Sequence, residues 1–446
     1  MTTDSLQQAP VTHRLQALPP VLEECIDSAA FVAEQRTLTA SGSLPELLAE
    51  DLRLDALLDN LRLHREASWQ LLAEALKAPE PGHLFVAAMM ALETRDTARL
   101  KQVIAIAEAD SELRSGLALA LLWVPVDFSR PLVAHLLASR HPFHRLLGIE
   151  LCRHHSIPAD SPLEQALTQT NPALQLAALR ASGDIGLLDL LPRCLPLLHS
   201  EQPAVALAAA RACALMGERR QSLARLRTIA TSDPNSQGNS EDRAEDSLRS
   251  QALSLLSVLL PVAESQQWLR ELARQHPNPR LMIQLAGELG DPASVPALLR
   301  LMENPDLSRL AGAAFSAITG LNLVAEEMEL PAPPTPSAES SAEPGADSEP
   351  STDPEDDTLE SDPDADLPWP DRQQLAAWWQ AQQRHFPAGE RRLAGTAINA
   401  ENCLRQLLAG PGPVRATAAL HLKNLYPGQP LFPTDAPAWR QQRMLR

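Results

Sequence analysis

A period of about thirty residues in the middle of the chain constrains the fold more than any other feature. Proline opens three successive segments at Pro142, Pro172 and Pro203, at spacings of 30 and 31 residues. A small residue follows each proline at the sixth position: Gly148, Ala178 and Ala209. Because proline is favoured in the first turn of a helix, this period is typical of stacked helical hairpins.

The same register extends towards the N-terminus. It predicts first helices that begin near 81, 112, 142, 172 and 203, and second helices near 96–107, 128–138, 161–169, 187–198 and 219–230. One hairpin cannot bury both of its apolar faces, so adjacent hairpins must stack to make a core. Alternating runs rich in valine, isoleucine and threonine are scarce, which argues against a sheet. We therefore expect an all-α fold, an α-solenoid of helical hairpins.

Changes in composition divide the chain into regions. Residues 1–79 are expected to form a helical N-terminal cap, in which Ser43 precedes a proline-led helix start. The repeats should occupy 80–325, interrupted at 231–243 by an inserted loop rich in turn-forming residues. After an acidic stretch, residues 369–446 are expected to form a small helical C-terminal region.

The acidic stretch, residues 326–368, is expected to be a disordered linker. The chain has a net charge of −18, and fifteen Asp or Glu residues but no Lys or Arg lie between Glu326 and Asp366. Proline, serine and acidic residues bury too little apolar surface to offset the entropy of ordering. The linker is a solvated spacer, a nucleic-acid mimic, a site for a basic partner, or a ligand of the chain's own arginines. Those arginines belong to the C-terminal region: Arg384, Arg391, Arg392 and Arg405.

Composition also excludes several classes of protein. Outside the acidic linker the charge is nearly balanced, so the chain lacks the basic footprint of a nucleic-acid-binding protein. Its five cysteines have no paired spacing, which favours reduced, buried thiols. No signal-peptide pattern is visible in the first residues, and no apolar run reaches the ~20 residues of a membrane span, so we expect neither a signal peptide nor a membrane span. We expect a cytoplasmic protein that binds neither nucleic acid nor membrane.

No sequence motif points to an enzyme. Phosphate-binding, dinucleotide-binding, zinc-protease and serine-hydrolase motifs are absent from the sequence. Four histidines lie close together, at His141, His144, His154 and His155, and two histidines three apart could hold a metal from one helix face. However, His141 precedes the helix-opening proline, so we interpret all four as surface histidines. We expect no catalytic residue, no metal site and no cofactor.

Two sets of residues are candidates for partner binding. Arg180 and Arg211 share one repeat position, the eighth after the opening proline. Asp184 is the natural partner of Arg211 in a structural ladder between layers, and contact with a partner protein is the alternative. Trp378 and Trp379 either pack the C-terminal region against the repeats or form a recognition patch, since tryptophan is favoured at interface anchors.

Two motifs in the last hairpin resemble HEAT-like repeats of the PBS-lyase type. They are LGDP at 289–292 and VPALL at 295–299. In that pattern the glycine and aspartate, here Gly290 and Asp291, form the turn between the two helices of a hairpin. The resemblance extends over about 140–320, and it implies that the predicted solenoid is built from HEAT-like hairpins.

The whole chain also resembles a bacterial family of HEAT-repeat proteins found near type VI secretion genes. The segments EECIDSAAFVAEQR, RLAGAAFSAITGLNL and PLFPTDAPAWRQ carry this resemblance. It implies a non-catalytic scaffold or adaptor with an accessory or immunity role, whose partner is a secreted effector or a secretion component. No catalytic residues come with the family. The alternative that the repeat type implies is a PBS-lyase-like enzyme or chaperone that handles a prosthetic group.

Overall fold

Helices make up most of the part of the chain that the structure describes. The computed structural model describes residues 18–38, 42–231, 240–275, 278–331, 362 and 364–446. The chain divides into two compact units, of which the first contains 1–181 and 433–446 and the second contains 182–432.

Three helices precede the repeats in the first unit: α1 (Pro19–Leu38), α2 (Leu44–Leu63) and α3 (Arg65–Ala75). Ser43 caps α2, because its side chain accepts a hydrogen bond from the Glu46 N–H while the Glu46 carboxylate accepts one from the Ser43 N–H. This reciprocal box satisfies amide groups that the start of a helix otherwise leaves without partners.

The hairpins of the first unit follow: α4 (Pro81–Thr94) with α5 (Thr97–Ala109), α6 (Arg114–Trp123) with α7 (Val126–Leu137), and α8 (Pro142–His154) with α9 (Asp160–Thr168). Helix α4 is the centre of the core, since α1, α3, α5 and α6 pack around it and every residue from Leu84 to Leu92 is buried. Gly116 lets α6 approach α4 closely, because a Cβ at this position would overlap the carbonyl oxygen of Pro81.

Further hairpins make up the second unit, which begins within α10. Their helices are α10 (Pro172–Ile185), α11 (Leu191–Cys194), α12 (Pro203–Leu215), α13 (Arg220–Ala230), α14 (Ser240–Leu259), α15 (Val262–Gln275), α16 (Pro279–Leu289), α17 (Val295–Leu301) and α18 (Pro305–Thr319). The first helices of successive hairpins pack on one another: α12 on α14, α14 on α16, and α16 on α18. Two short 3₁₀ turns flank α11 in place of one continuous helix, because Pro192 and Pro196 cannot donate the N–H groups that it needs.

The repeat prediction is confirmed in its helix starts. All five predicted first helices, α4, α6, α8, α10 and α12, begin within two residues of the expected positions. The predicted inserted loop at 231–243 is only partly described: residues 232–239 lie outside the described residues, and α14 already begins at Ser240.

The C-terminal region adds four helices, of which three lie in the second unit: α19 (Arg372–Gln382), α20 (Ala400–Ala409) and α21 (Gly412–Leu425). The fourth, α22 (Ala438–Met444), lies in the first unit. Two short antiparallel pairs belong to the second unit: β1 (Glu329–Leu330) with β2 (Trp369–Pro370), and β3 (Arg392–Leu393) with β4 (Thr396–Ala397). The all-α, helical-repeat fold class is thus confirmed, with these four two-residue strands as the described exceptions.

Both ends of the predicted linker 326–368 are part of the fold, because β1 and β2 pair across it. The remainder of the linker, residues 332–361 and 363, lies outside the described residues. The domain boundaries drawn from the sequence stay a prediction.

A buried ion pair fixes α22 within the first unit. Arg36 of α1 and Asp51 of α2 are 1% and 2% exposed, and Arg36 Nε donates to Asp51 Oδ1 at 2.6 Å. The other atoms of the pair hold the tail. Arg36 Nη2 donates to the carbonyl oxygens of Asp435 and Ala436, and Asp51 Oδ2 accepts from the Ala438 N–H. Burial raises the pKa of Asp51 and Arg36 lowers it, so the carboxylate depends on its partner to stay charged.

A returning segment of the C-terminal region, residues 389–397, closes the carboxyl-terminal ends of three first helices in the second unit. Arg391 donates from both Nη atoms to the carbonyl oxygens of Val258 and Leu260, at the end of α14. The Arg392 N–H donates to the Gly290 carbonyl at the end of α16, at 2.8 Å. Two further N–H groups of the same segment donate to the last turn of α18. The segment therefore satisfies carbonyl groups that helix ends leave free.

We expect Asp51→Asn to cost about 3–5 kcal/mol of unfolding free energy, because it leaves the Arg36 guanidinium buried without a counter-charge. Asp59→Asn is the matched control, since Asp59 pairs with an arginine while its side chain is 67% exposed, and it should cost less than about 1 kcal/mol. Urea denaturation and amide hydrogen exchange of α22 measure the two effects. Equal stability of the two variants would contradict a stabilising role of the Arg36–Asp51 pair in holding α22.

Gly290→Ala should destabilise the second unit more than Gly389→Ala does. Both glycines have positive φ, so each substitution places a residue with a Cβ in a strained left-handed backbone conformation. A Cβ at Gly290 would also overlap the carbonyl oxygen of Arg392, whereas a Cβ at Gly389 has nothing within 4 Å. The expected difference is about 1–3 kcal/mol in urea unfolding. No difference would mean that the returning segment does not pack on α16.

Candidate interaction site

Two aspartates at the C-terminal end of the acidic linker bind arginines on first helices of the second unit. Arg280, in the first turn of α16, donates from Nη2 to Asp364 Oδ1 at 2.7 Å. Arg309 of α18 donates to Asp362. Asp364 is 4% exposed, so this end of the linker is packed into the protein surface. The Arg309 bond lowers the pKa of Asp362, and the Asp364 bond raises the pKa of Arg280, so each bond favours the charged forms.

The strand pair β1–β2 holds the two ends of the acidic linker together. Leu330, the last residue of β1, pairs with Trp369 of β2. The Arg309 guanidinium lies 4.7 Å from the centre of the Trp369 ring, a cation–π contact next to the ion pair with Asp362. The Asp371 N–H donates to the Met328 carbonyl at 2.9 Å. The described ends of the linker thus lie together at one anchored site of the second unit.

The residues between these anchors, 332–361, contain nine Asp or Glu residues and no Lys or Arg. They lie outside the described residues. The described linker residues contact Arg280 and Arg309. Arg384, Arg391, Arg392 and Arg405 are the arginines of one of the four alternatives for the linker, and for residues 332–361 that alternative stays a prediction. Two of those have other partners: Arg391 donates to the carbonyls of α14, and Arg392 pairs with Glu390. The sequence signal for the contacts of Asp362 and Asp364 is weak, an arginine near the start of a proline-led helix.

Arg211 and Asp184 come together in the second unit. Arg211 Nη1 donates to Asp184 Oδ1 at 2.7 Å, and both side chains are partly buried. Lys423 of α21 lies close by, and its Nζ donates to the carbonyl oxygens of Pro427 and Gln429. Burial lowers the pKa of Lys423 to about 8. These contacts favour the structural ladder, although a role of Arg211 towards a partner stays a prediction. Arg180, in the first unit, is exposed.

Trp378 and Trp379 belong largely to the core of the second unit. Trp379 is 8% exposed, and its ring lies 6.5 Å from Phe315 and 5.6 Å from Phe386, measured between ring centres. Trp378 is partly buried and contacts the same two rings edge-on or tilted. This packing attaches α19 to α18, so only Trp378 keeps an accessible face for recognition.

Gly290 and Asp291 form the turn after α16. Gly290 ends the helix in a left-handed conformation, with φ of 71°. Asp291 is 1% exposed, and its Oδ1 accepts hydrogen bonds from the Ala293 N–H at 3.0 Å and the Gly389 N–H at 3.1 Å. One carboxylate therefore caps the next helical turn and holds the returning segment.

The four histidines separate into two pairs in the first unit. The rings of His141 and His144 lie 4.9 Å apart at the surface, and His141 pairs with Glu108. His154 and His155 are instead partly buried, with the His154 side chain only 7% exposed, which differs from the interpretation of all four as surface histidines. Within the described residues, no group of three or more histidine, cysteine or acidic side chains is arranged to hold a metal ion.

His155 connects the end of α6 to α22. Its Nε2 lies 3.0 Å from the Leu121 carbonyl oxygen, and its Nδ1 lies 3.2 Å from Nη1 of Arg440. Because arginine can only donate, Nδ1 must accept and Nε2 must carry the proton. Burial and the Arg440 charge lower the pKa of His155 to about 4, so the ring is neutral at physiological pH.

Comparison with known proteins supports the presence of HEAT repeats in this chain. A family model of HEAT repeats matches residues 161–238, which contain α10–α13 and most of α9. No curated protein and no solved structure matches the chain. Among the described helices, none combines the length and apolar character that crossing a bilayer requires.

Acidification should destabilise the first unit through His155. Its pKa is lowered from 6.5 to about 4 on folding, so its contribution is present above pH 6.5 and is lost as the pH falls towards 4. His155→Gln should make the pH dependence of the unfolding free energy shallower by up to about one bound proton between these limits. His199→Gln, at an exposed position, is the control. Equal slopes in all three proteins would contradict this prediction.

Proposed function

We propose that this protein is a non-catalytic adaptor that binds another protein, and that the acidic stretch 332–361 captures a basic surface of that partner. The observation that supports the proposal best is the anchoring of the stretch at both ends. The β1–β2 pair and the arginines Arg280 and Arg309 hold its two ends to the second unit. Helical repeats of the HEAT type commonly act as protein-binding scaffolds, which agrees with this role.

The charge arithmetic favours a basic partner. Nine carboxylates without a counter-charge create a strong local negative potential, which attracts cationic surfaces within about one Debye length of 8–10 Å. Because both ends are anchored, the acidic stretch is tethered to the second unit, so a partner captured by it is held at high local concentration near that unit. Opposite charge increases association rates and selects among partners more than it increases affinity.

The biological setting is proposed on resemblance alone. The family resemblance supports an accessory, adaptor or immunity protein of a type VI secretion locus, acting in the cytoplasm. The partner would then be a secreted effector or a component of the secretion apparatus. A basic effector would fit the acidic stretch through the same electrostatics.

A pull-down from the native cell with three forms of the full chain tests the proposal. The wild type is compared with a variant in which a Gly/Ser stretch of equal length replaces 332–361, and with one in which its nine carboxylates become amides. Both variants keep β1, β2 and Asp362–Asp371, so the second unit should remain folded. Glu23→Gln with Glu24→Gln, at exposed positions of α1, is the control for neutralising carboxylates elsewhere.

We expect at least about tenfold less of one basic protein with both variants, and no loss with the control. Salt should weaken the wild-type complex in the same way, because exposed charges are screened. Equal recovery of partners by all forms would overturn the proposal. Recovery of a toxin-like basic protein would support immunity, and recovery of a secretion component would support an adaptor.

A further inference from the structure

An apolar groove runs between α7 and α9 in the first unit. Its volume is about 540 Å³. On the α7 side, Val133, Ala134, Leu137 and Ala138 recur at the spacing of one helix face. On the other side, the lining residues come from the turn before α9 and from its first two turns: Ile157, Pro158, Ala159, Pro162 and Gln165. The groove therefore follows about two turns of α7, a length of about 10 Å.

One lining residue is charged. Arg130 lies on the same face of α7, one turn before Val133, and it is exposed. Within the described part of the chain it forms no ion pair. No carboxylate lines the groove. The groove thus presents an apolar surface that ends at the exposed guanidinium of Arg130.

We infer that this groove binds an amphipathic helix of a partner protein, with apolar side chains against α7 and a carboxylate at Arg130. The inference rests on the proposed role in protein binding and adds a second contact of different chemistry. Helix-in-groove recognition uses apolar anchors at positions i, i+3 or i+4, and i+7, which matches two turns of α7. The unpaired arginine selects helices that carry an acidic residue beside those anchors.

The openness of the groove favours a helix over a small molecule. A small-molecule site encloses most of its ligand's surface. Here Ala134, Ala138 and Pro158 are themselves exposed, so the walls are too shallow to enclose a free ligand. A helix needs only to lay one face along such walls, because the rest of the partner covers its other side.

The test uses fluorescein-labelled helical peptides and the purified full chain. One peptide has leucines at i, i+3, i+4 and i+7 with a flanking glutamate, and the second has lysine in place of that glutamate. They are titrated against wild type, Arg130→Glu and Ala134→Trp, which fills the groove. Arg140→Glu is the matched control, because Arg140 is exposed and does not line the groove. Dodecanoate is added as a competitor.

We expect the glutamate peptide to bind wild type more tightly than the lysine peptide does. Arg130→Glu should reverse this preference by about tenfold, Ala134→Trp should abolish binding of both, and Arg140→Glu should leave both unchanged. Binding that ignores Arg130→Glu and Ala134→Trp overturns the inference. So does displacement of the peptide by micromolar dodecanoate, which would indicate a small-molecule site. Repeating the titration without 332–361 separates this result from the proposed acidic capture.

Discussion

The alignment of the first helices within each unit is the constraint on which the rest of the structure depends. Parallel helices gather their free carbonyl groups on one edge, and those groups need donors. In the second unit, the segment 389–397 supplies them with backbone N–H groups and with the guanidinium of Arg391, whose pKa burial lowers to about 10. Near the opposite ends of α16 and α18, Arg280 and Arg309 hold the aspartates of the acidic linker. The repeats thus determine where later parts of the chain must return.

The first unit follows the same rule with different residues. The end of α6 receives hydrogen bonds from His155 and from Arg440, which donates to the Leu122 carbonyl. The buried pair of Arg36 and Asp51 then holds the backbone just before and at the start of α22. Buried charges are costly unless they are paired, so these contacts require precise local geometry. In both units, therefore, the C-terminal sequence has a structural role that a simple row of repeats would not need.

The sequence predicts what is local and periodic, and it misses what is distant. The start of each first helix follows from a proline and a thirty-residue period, and the Ser43 cap follows from residues three apart. In contrast, Arg280 meets Asp364 across 84 residues, and Arg391 meets Val258 across 133 residues. No spacing rule connects such positions. The contact of Arg211 with Asp184 was accessible from the sequence only because both occupy fixed positions in adjacent repeats.

Charged groups that already have partners within the fold are less available for binding another protein. Many arginines of the fold are committed to helix ends or to aspartates, and the buried histidines are neutral. Two features suit protein binding better: the nine acidic residues in the sequence of 332–361, and the apolar groove that ends at Arg130. The groove offers a surface formed by helices of the repeat scaffold, and such pre-organisation lowers the entropy that binding must overcome. Charge and shape together discriminate between partners better than either does alone.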